Sequence, residues 1–332
     1  MTIINGIEID IIEAPIDEMK AAILSNSPIE DNLHVIIVIS NPCSYARRYI
    51  LAREFIKRME SEENVILYIV ELAYKGQNYY VTNAKNRRHL QLRGQVPLWH
   101  KENMINLGVK RLLPKTWKAF AWIDADVEFE SATWASDALK ILNGCKDVVQ
   151  LFGHAIDMNK AKDAMSIFPS FGYQFMKRRP HGKSGINMWH PGFAWAMTRK
   201  AYERIGGLYD KSILGAGDHN MSFSFVGKGL NSLNEDTTDE YKESVTLFEQ
   251  KAKLLRLGYV PGTIRHHFHG SKKNRKYMER WQILVKHAYK PSEHVTYNAD
   301  GLLVPTATCP PGILADIQTY FAERNEDEGY KE

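Results

Sequence analysis

The stretch Ala121-Trp122-Ile123-Asp124-Ala125-Asp126-Val127-Glu128-Phe129 decides how the rest of the chain is read. Phe120 to Ile123 is an apolar run of the length of a short buried strand. It ends on two carboxylates at i and i+2, which on a regular strand share one face. Both side chains then point to one spot at the strand's C-terminal end. Two hard oxygen donors there suit Mg²⁺ or Mn²⁺, with a substrate diphosphate filling further positions. A solvated turn after a strand also favours Asp, so the pair by itself does not separate a metal site from a loop.

Upstream, His34-Val35-Ile36-Ile37-Val38-Ile39-Ser40 is nearly all β-branched, the pattern of a parallel strand covered on both faces. It breaks at Asn41-Pro42. Tyr45, Tyr49, Ala52, Ile56 and Met59 then recur at helical spacing, and Val65 to Val70 makes a second strand ending at Glu71. Such a strand–helix–strand unit is right-handed. In open α/β sheets the ligand lies beyond the carboxyl ends of the strands. Ser40, Asn41, Glu71, Asp124 and Asp126 are therefore expected on one rim. No Gly-x-Gly-x-x-Gly follows the first strand and no Gly-Lys-Ser/Thr loop occurs, which disfavours a dinucleotide oxidoreductase and a P-loop enzyme.

Between these strands, Tyr74 to Arg93 is polar and broken and reads as a loop near the rim, and Leu98 to Leu113 reads as a helix. Downstream, Ser131 is placed to cap a helix over Ala132 to Leu142, and Asp147 to Phe152 reads as a strand. Gly153 to Asn187 is less regular. Its basic, turn-rich part, Lys177 to Gly185, is either a solvated loop or a lid beside a diphosphate site. A helix is expected over Arg199 to Ile205. In Gly215-Ala216-Gly217-Asp218-His219 the glycines allow a tight turn ahead of a helix, so Asp218 is either a helix cap or a general base. Glu240 to Leu257 is a long amphipathic helix. Val260 to Phe268 reads as a strand leading into Arg265-His266-His267-Phe268-His269-Gly270. By the i, i+2 rule His267 and His269 share a face there, and imidazole is a good ligand for transition metals. Helices over Asn274 to His287 and Ile313 to Glu323 complete the reading.

The composition is that of a globular protein: 332 residues, 44% hydrophobic and 25% charged. A net charge of +4 with the signs interspersed gives no strong nucleic-acid signal. Cys43, Cys145 and Cys309 lie far apart, which is neither a disulfide framework nor a zinc knuckle. No apolar run approaches a membrane span and no signal peptide is recognisable, so a soluble, cytoplasmic protein is expected.

Three blocks now stand in a recognisable order. They are Trp122-Ile123-Asp124-Ala125-Asp126; Gly192-Phe193-Ala194-Trp195-Ala196 with Gly206-Gly207-Leu208-Tyr209-Asp210 and Gly217-Asp218; and His266-His267-Phe268-His269-Gly270. Over residues 33–290 the chain resembles a GT-A-fold glycosyltransferase of the family-2-like and galactosyltransferase-like kind. The resemblance implies an α/β Rossmann-like sandwich with a mixed, mainly parallel central sheet. It divides the chain into an extension (1–32), a nucleotide-sugar half (33–130), an acceptor half (131–290) and a C-terminal tail (291–332). It implies a hexosyltransferase moving sugar from a nucleotide-diphosphate sugar, UDP-sugar foremost, to a carbohydrate, glycoprotein or glycolipid hydroxyl, with inversion. Mn²⁺ or Mg²⁺ is the implied cofactor.

Carried over residue by residue, Asp126 is a metal ligand, Asp124 holds metal or ribose, and His269 or, less favoured, His267 completes the metal site. Asp218 is the base, Ser40, Asn41 and Glu71 lie near nucleobase and ribose, Lys101 and Asn103 lie on the nucleotide-sugar side, and Trp195 stacks on sugar. The chain departs from the galactosyltransferase-like Trp-Gly-x-Glu-Asp run, having Gly-Ala-Gly-Asp-His, so the carboxylate before the base is missing. The alternatives are a metal-dependent phosphotransferase or hydrolase, and a carbohydrate- or nucleotide-binding module without turnover. Val127-Glu128-Phe129 lacks the Ser or Thr that the former usually carries after the second Asp.

Overall fold

A computed structural model of the chain describes residues 2–4, 7–9, 21, 24–182, 188–277 and 279–328. A short hairpin, β1 (Thr2–Ile4) and β2 (Ile7–Ile9), precedes the main sheet. That sheet contains β3 (Leu33–Ser40), β4 (Val65–Tyr74), β5 (His89–Gly94), β6 (Ala119–Ile123), β8 (Val148–Gln150), β11 (Ala194–Thr198) and β12 (Leu257–Tyr259). The strand order is β12-β8-β11-β6-β3-β4-β5, and only β11 runs antiparallel to its neighbours. The sheet is mixed and mainly parallel, as the sequence led us to expect.

Side-chain alternation assigns the two faces. On β6, Phe120 and Trp122 enter one core while Ala119, Ala121 and Ile123 enter the other. On β3, Ile36 belongs to the first core, and Val35, Ile37 and Ile39 to the second. Helices α1 (Ala46–Met59) and α3 (Trp134–Leu142) cover the second face. The first is covered by α2 (Lys101–Leu112), α5 (Arg199–Ile205), α6 (Gly217–Phe225) and α7 (Asp239–Ala252). The helix α2 lies close on the sheet because Gly108 has no side chain: a Cβ there would stand 3.0 Å from methyls of Ile36 and Val70.

A second, four-stranded sheet, β10-β9-β13-β7, stands at the rim. It joins β7 (Val127–Phe129), directly after the Asp124–Asp126 turn, to β13 (Thr263–His266), β9 (His154–Met158) and β10 (Ala164–Pro169). The last two strands, and α4 (Phe171–Met176), fill the region read as irregular. Of the basic loop, residues 183–187 lie outside the described set, so Lys183, Ser184 and Gly185 receive no account.

Other expectations are corrected. Ser131 does not cap α3; Thr133 occupies that position without a side-chain cap bond. The expected long helix stops at Ala252 because Leu257–Tyr259 is needed as an edge strand. The expected helix over Asn274 to His287 is a 3₁₀ turn, Lys272–Arg275, followed by α8 (Trp281–Lys286). The C-terminal stretch carries the expected helix and more. It forms α9 (Pro291–His294), the hairpin of β14 (Val295–Tyr297) and β15 (Leu303–Pro305), and α10 (Pro311–Glu323), and it packs into the first core through Leu303, Ile313 and Ile317.

Candidate active site

The strand β6 ends at Ile123, and residues 124–126 form a turn rather than more strand. The period-two rule therefore lapses where the carboxylates begin, and the two Asp residues face different partners. Asp124 is anchored by its N–H to the Phe193 carbonyl at 2.7 Å, and its Oδ1 lies 2.6 Å from Lys101 Nζ. The same ammonium reaches Asp218 Oδ2 at 2.8 Å. Lys101 opens α2 and Asp218 opens α6, so two helix starts and one strand end meet at one cation. Burial would lower the Lys101 pKa, but Asp124 and Asp218 more than offset it and keep the ammonium charged.

A third carboxylate belongs to this group. Glu102 is 2% exposed, and burial first, then the Asp218 charge, pushes its pKa up to about 8. Its carboxyl occupies the space beside Gly217 that a side chain would take: a Cβ at 217 would lie 2.2 Å from Glu102 Oε1. Glu102 Oε1 and Asp218 Oδ1 are both buried without a hydrogen-bond partner among the described residues. Asp124 is likewise pushed up by burial, with Lys101 opposing and Asp218 and Asp126 reinforcing.

Asp126 meets the histidines. Its Oδ2 is 2.8 Å from His269 Nε2 and 3.8 Å from His266 Nε2, and the two imidazole nitrogens are 3.3 Å apart. These three side chains bring ligand atoms within 4.8 Å of one another, close enough that a small adjustment could place them on one metal ion. Burial would raise the Asp126 pKa, but His269, His266 and Arg275 outweigh it and hold the carboxyl far below the usual range. The other oxygen, Oδ1, is buried with no partner among the described residues.

Each histidine is oriented from behind. His266 Nδ1 donates to Asp157 Oδ1 at 2.6 Å across the β13–β9 pair, which leaves the Nε2 lone pair facing Asp126. Burial lowers the His266 pKa, against the pull of Asp157 and Asp126. Its ring stacks on Phe193 at 4.6 Å, and Phe193 in turn stacks on His190 at 4.2 Å. Phe193 holds a φ of 84°, a strained backbone that also supplies the carbonyl for Asp124. His269 Nδ1 faces Glu326 Oε2 at 3.7 Å, and Glu326 is clamped by Arg48 and Arg324. Two imidazole nitrogens and one carboxylate, whose second oxygen has no partner among the described residues, make a donor set that a divalent metal fits.

The remaining expected residues lie elsewhere. His267 turns away, to Glu128 Oε2 at 3.1 Å, because β13 ends at His266 and the i, i+2 spacing no longer holds beyond it. Asn103 faces the core, bonding Asp210, the Gly301 carbonyl and the Leu303 N–H, so it pins the C-terminal hairpin. Trp195 is 1% exposed, stacked on Trp122 at 6.3 Å, and cannot meet a sugar. Glu71 accepts from the N–H groups of Tyr80, Val81 and Thr82 and the Thr82 hydroxyl, which shapes the loop after β4. Asn41 bonds the Tyr45 backbone twice. Ser40 Oγ is 3.0 Å from Tyr74 Oη, and Arg48 takes its carbonyl. Both stand at the end of β3 as expected, but their polar atoms serve the fold. His266, Glu102 and Asp157 were not singled out. Burial of a carboxyl inside α2 left no local signal, and Asp157 lies in a strand too short to read.

No protein-family model matches the chain, and no curated protein does. Among solved structures it is similar to a candidate nucleotide-diphospho-sugar transferase from Desulfovibrio desulfuricans, at 9% identity and a TM-score of 0.31, over 71% of this chain and 82% of that one. It is also similar to a Drosophila β-1,4-galactosyltransferase 7 variant solved with manganese, UDP-Gal and xylobiose. There the identity is 11% and the TM-score 0.35, over 82% of this chain and 91% of that one. Likenesses this distant carry no assignment.

Proposed function

We propose that the protein is a metal-dependent glycosyltransferase that moves a sugar from a nucleotide-diphosphate sugar, UDP-sugar foremost, to an acceptor hydroxyl with inversion. The observation that carries this reading is the division of labour between Asp124 and Asp126. One turn delivers Asp126 to two imidazole nitrogens, and Asp124 to the Lys101–Asp218 pair, at the carboxyl end of a mainly parallel sheet. A charged leaving group and a proton acceptor are served side by side.

Asp126, His266 and His269 would hold the metal, and imidazole donors favour Mn²⁺ over Mg²⁺. Such an ion offsets charge on a departing diphosphate. Asp218 Oδ1, buried and without a partner among the described residues, is the atom we assign to take the acceptor proton. Lys101 fixes the other oxygen of Asp218 and ties it to Asp124, so the base is held in one orientation. The Asp124 carboxylate, partly exposed at the end of β6, would take ribose or sugar hydroxyls. A carbohydrate, glycoprotein or glycolipid would present the acceptor. Among the described residues no helix is long and apolar enough to cross a membrane.

The test is thermal unfolding against a panel of nucleotide diphosphates and nucleotide sugars, with Mn²⁺ and with chelator. A ligand that binds only the native state raises the Tm by mass action. A Mn²⁺-dependent rise with one nucleotide family is expected and names the donor base. A flat panel on folded protein overturns the reading.

A further inference from the structure

The metal-capable group already meets a positive charge. Arg275 Nη2 lies 2.6 Å from His269 Nε2, the same nitrogen that approaches Asp126 Oδ2. A guanidinium has donors only and a carboxylate has acceptors only, so a cation and an anion contend for this one imidazole nitrogen. His266 donates from Nδ1 to Asp157, which turns its Nε2 toward Asp126. The two imidazole nitrogens and the Asp126 carboxylate thus converge on one point, and Arg275 sits against them. The charge of Arg275 is also among the influences that depress the Asp126 carboxyl.

We propose that Arg275 is a resident cation of this donor set, and that a divalent ion loads only by displacing it. This rests on the reading of Asp126, His266 and His269 as metal ligands. A guanidinium and a divalent ion cannot share His269 Nε2, because the nitrogen has one lone pair and the two cations repel at that range. The carrier is suited to letting go. Arg275 ends a 3₁₀ turn followed by Lys276 in the left-handed region, at φ 43°. The buried Tyr320 hydroxyl holds the Arg275 carbonyl at 3.1 Å and Lys272 pairs with Asp157, which fix the backbone, while Asn274 to Glu328 and Lys276 to Glu323 are exposed contacts that contribute little each, so the guanidinium can swing without the backbone moving. The other end of the guanidinium already reaches the exposed Tyr277 hydroxyl, at 3.4 Å. The arginine holds the pre-formed ligands together and makes the metal compete for them.

The experiment is Mn²⁺ titration calorimetry of the full chain and of Arg275→Gln and Arg275→Lys, with tryptic cleavage after Arg275 followed in parallel. Arg275→Gln should bind Mn²⁺ at least about tenfold more tightly than the parent, and Arg275→Lys should fall between them. In the parent, Mn²⁺ should accelerate cleavage after Arg275, because the enzyme must take that side chain, while cleavage after exposed Lys273 stays the same. Equal affinities within about twofold, weaker binding by Arg275→Gln, or protection by Mn²⁺ would each overturn the displacement. If neither parent nor variant binds Mn²⁺, the metal-ligand reading itself falls.

Discussion

Gly217 and Glu102 give the sharpest test of how the base is housed. Replacing Gly217 with Ala would put a Cβ 2.2 Å from Glu102 Oε1 and 2.3 Å from its Cδ. Ordinary carbon contacts begin near 3.5 Å, so the carboxyl must retreat by about 1 Å within a packed interior. Overpacking of that kind costs about 1–3 kcal/mol. Against it stands the gain from Ala over Gly in a helix, at most about 1 kcal/mol and less at the first position. Gly217→Ala should therefore destabilise the parent chain. In Glu102→Ala the obstacle is gone, and the same substitution should become neutral or stabilising. The assay is urea unfolding of the four proteins of the cycle, compared at constant m. A coupling of about 1–3 kcal/mol with that change of sign is expected. If Gly217→Ala has the same effect in both backgrounds, within about 0.5 kcal/mol, Glu102 does not occupy the space beside residue 217 and its role beside Asp218 is lost.

Three further outcomes follow from the site. Asp126→Ala should abolish Mn²⁺ binding by calorimetry while His267→Ala leaves it unchanged, since His267 pairs with Glu128; equal losses would put the metal elsewhere. Asp218→Asn should keep the donor-induced rise in Tm but lose turnover by about 10²–10⁴-fold, the usual range for a general base, and retained turnover would return Asp218 to a capping role. Glu102 has a folded pKa raised to about 8, so its contribution to stability is full below its unfolded pKa of about 4.3 and is lost as pH rises through the folded value. Glu102→Gln does not titrate, so its Tm relative to the parent should climb between about pH 5 and 8 and level off above; a flat difference would show that Glu102 ionises normally.

The sequence carried the architecture further than it carried the side chains. The β-branched run before Ser40 and the apolar run before Asp124 are covered on both faces, and such strands announce themselves by composition alone. What periodicity could not tell was where each strand stops. Asp124 and Asp126 were paired on one face, and His267 with His269, on a rule that holds only inside a strand. In the fold the strands end at Ile123 and His266, and the turns beyond them send Asp124 to Lys101 and bring His266 and His269 together. Asn103, Glu71 and Asn41 stood at promising ends of elements, yet each has its polar atoms consumed by nearby backbone. That demand is invisible until the loops are placed. Trp195 carried an aromatic face suited to sugar, but its strand is the inner antiparallel one, where both sides are buried. The extra carboxylate at Glu102 is the opposite case. Its sequence neighbour Lys101 looked relevant, while the reason for Glu102 lies 115 residues away, in a glycine that leaves it room.

The clasp made by Glu326 has a bearing on how the molecule is born. Its carboxylate meets Arg48 across 278 residues of sequence, and it backs His269 at the metal-capable group. Contacts of such separation form last, because closing so long a loop is slow and entropically costly. During synthesis the sheet can be complete while Glu326 is still inside the ribosome, leaving Arg48 and His269 without their carboxylate. A nascent chain at that stage has the completed sheet but a candidate site that is missing its backing. The metal-capable group thus gains its backing only once residue 326 has been made and has emerged, and ribosome-stalled chains ending before Glu326 should be the forms that fail to take up the ion.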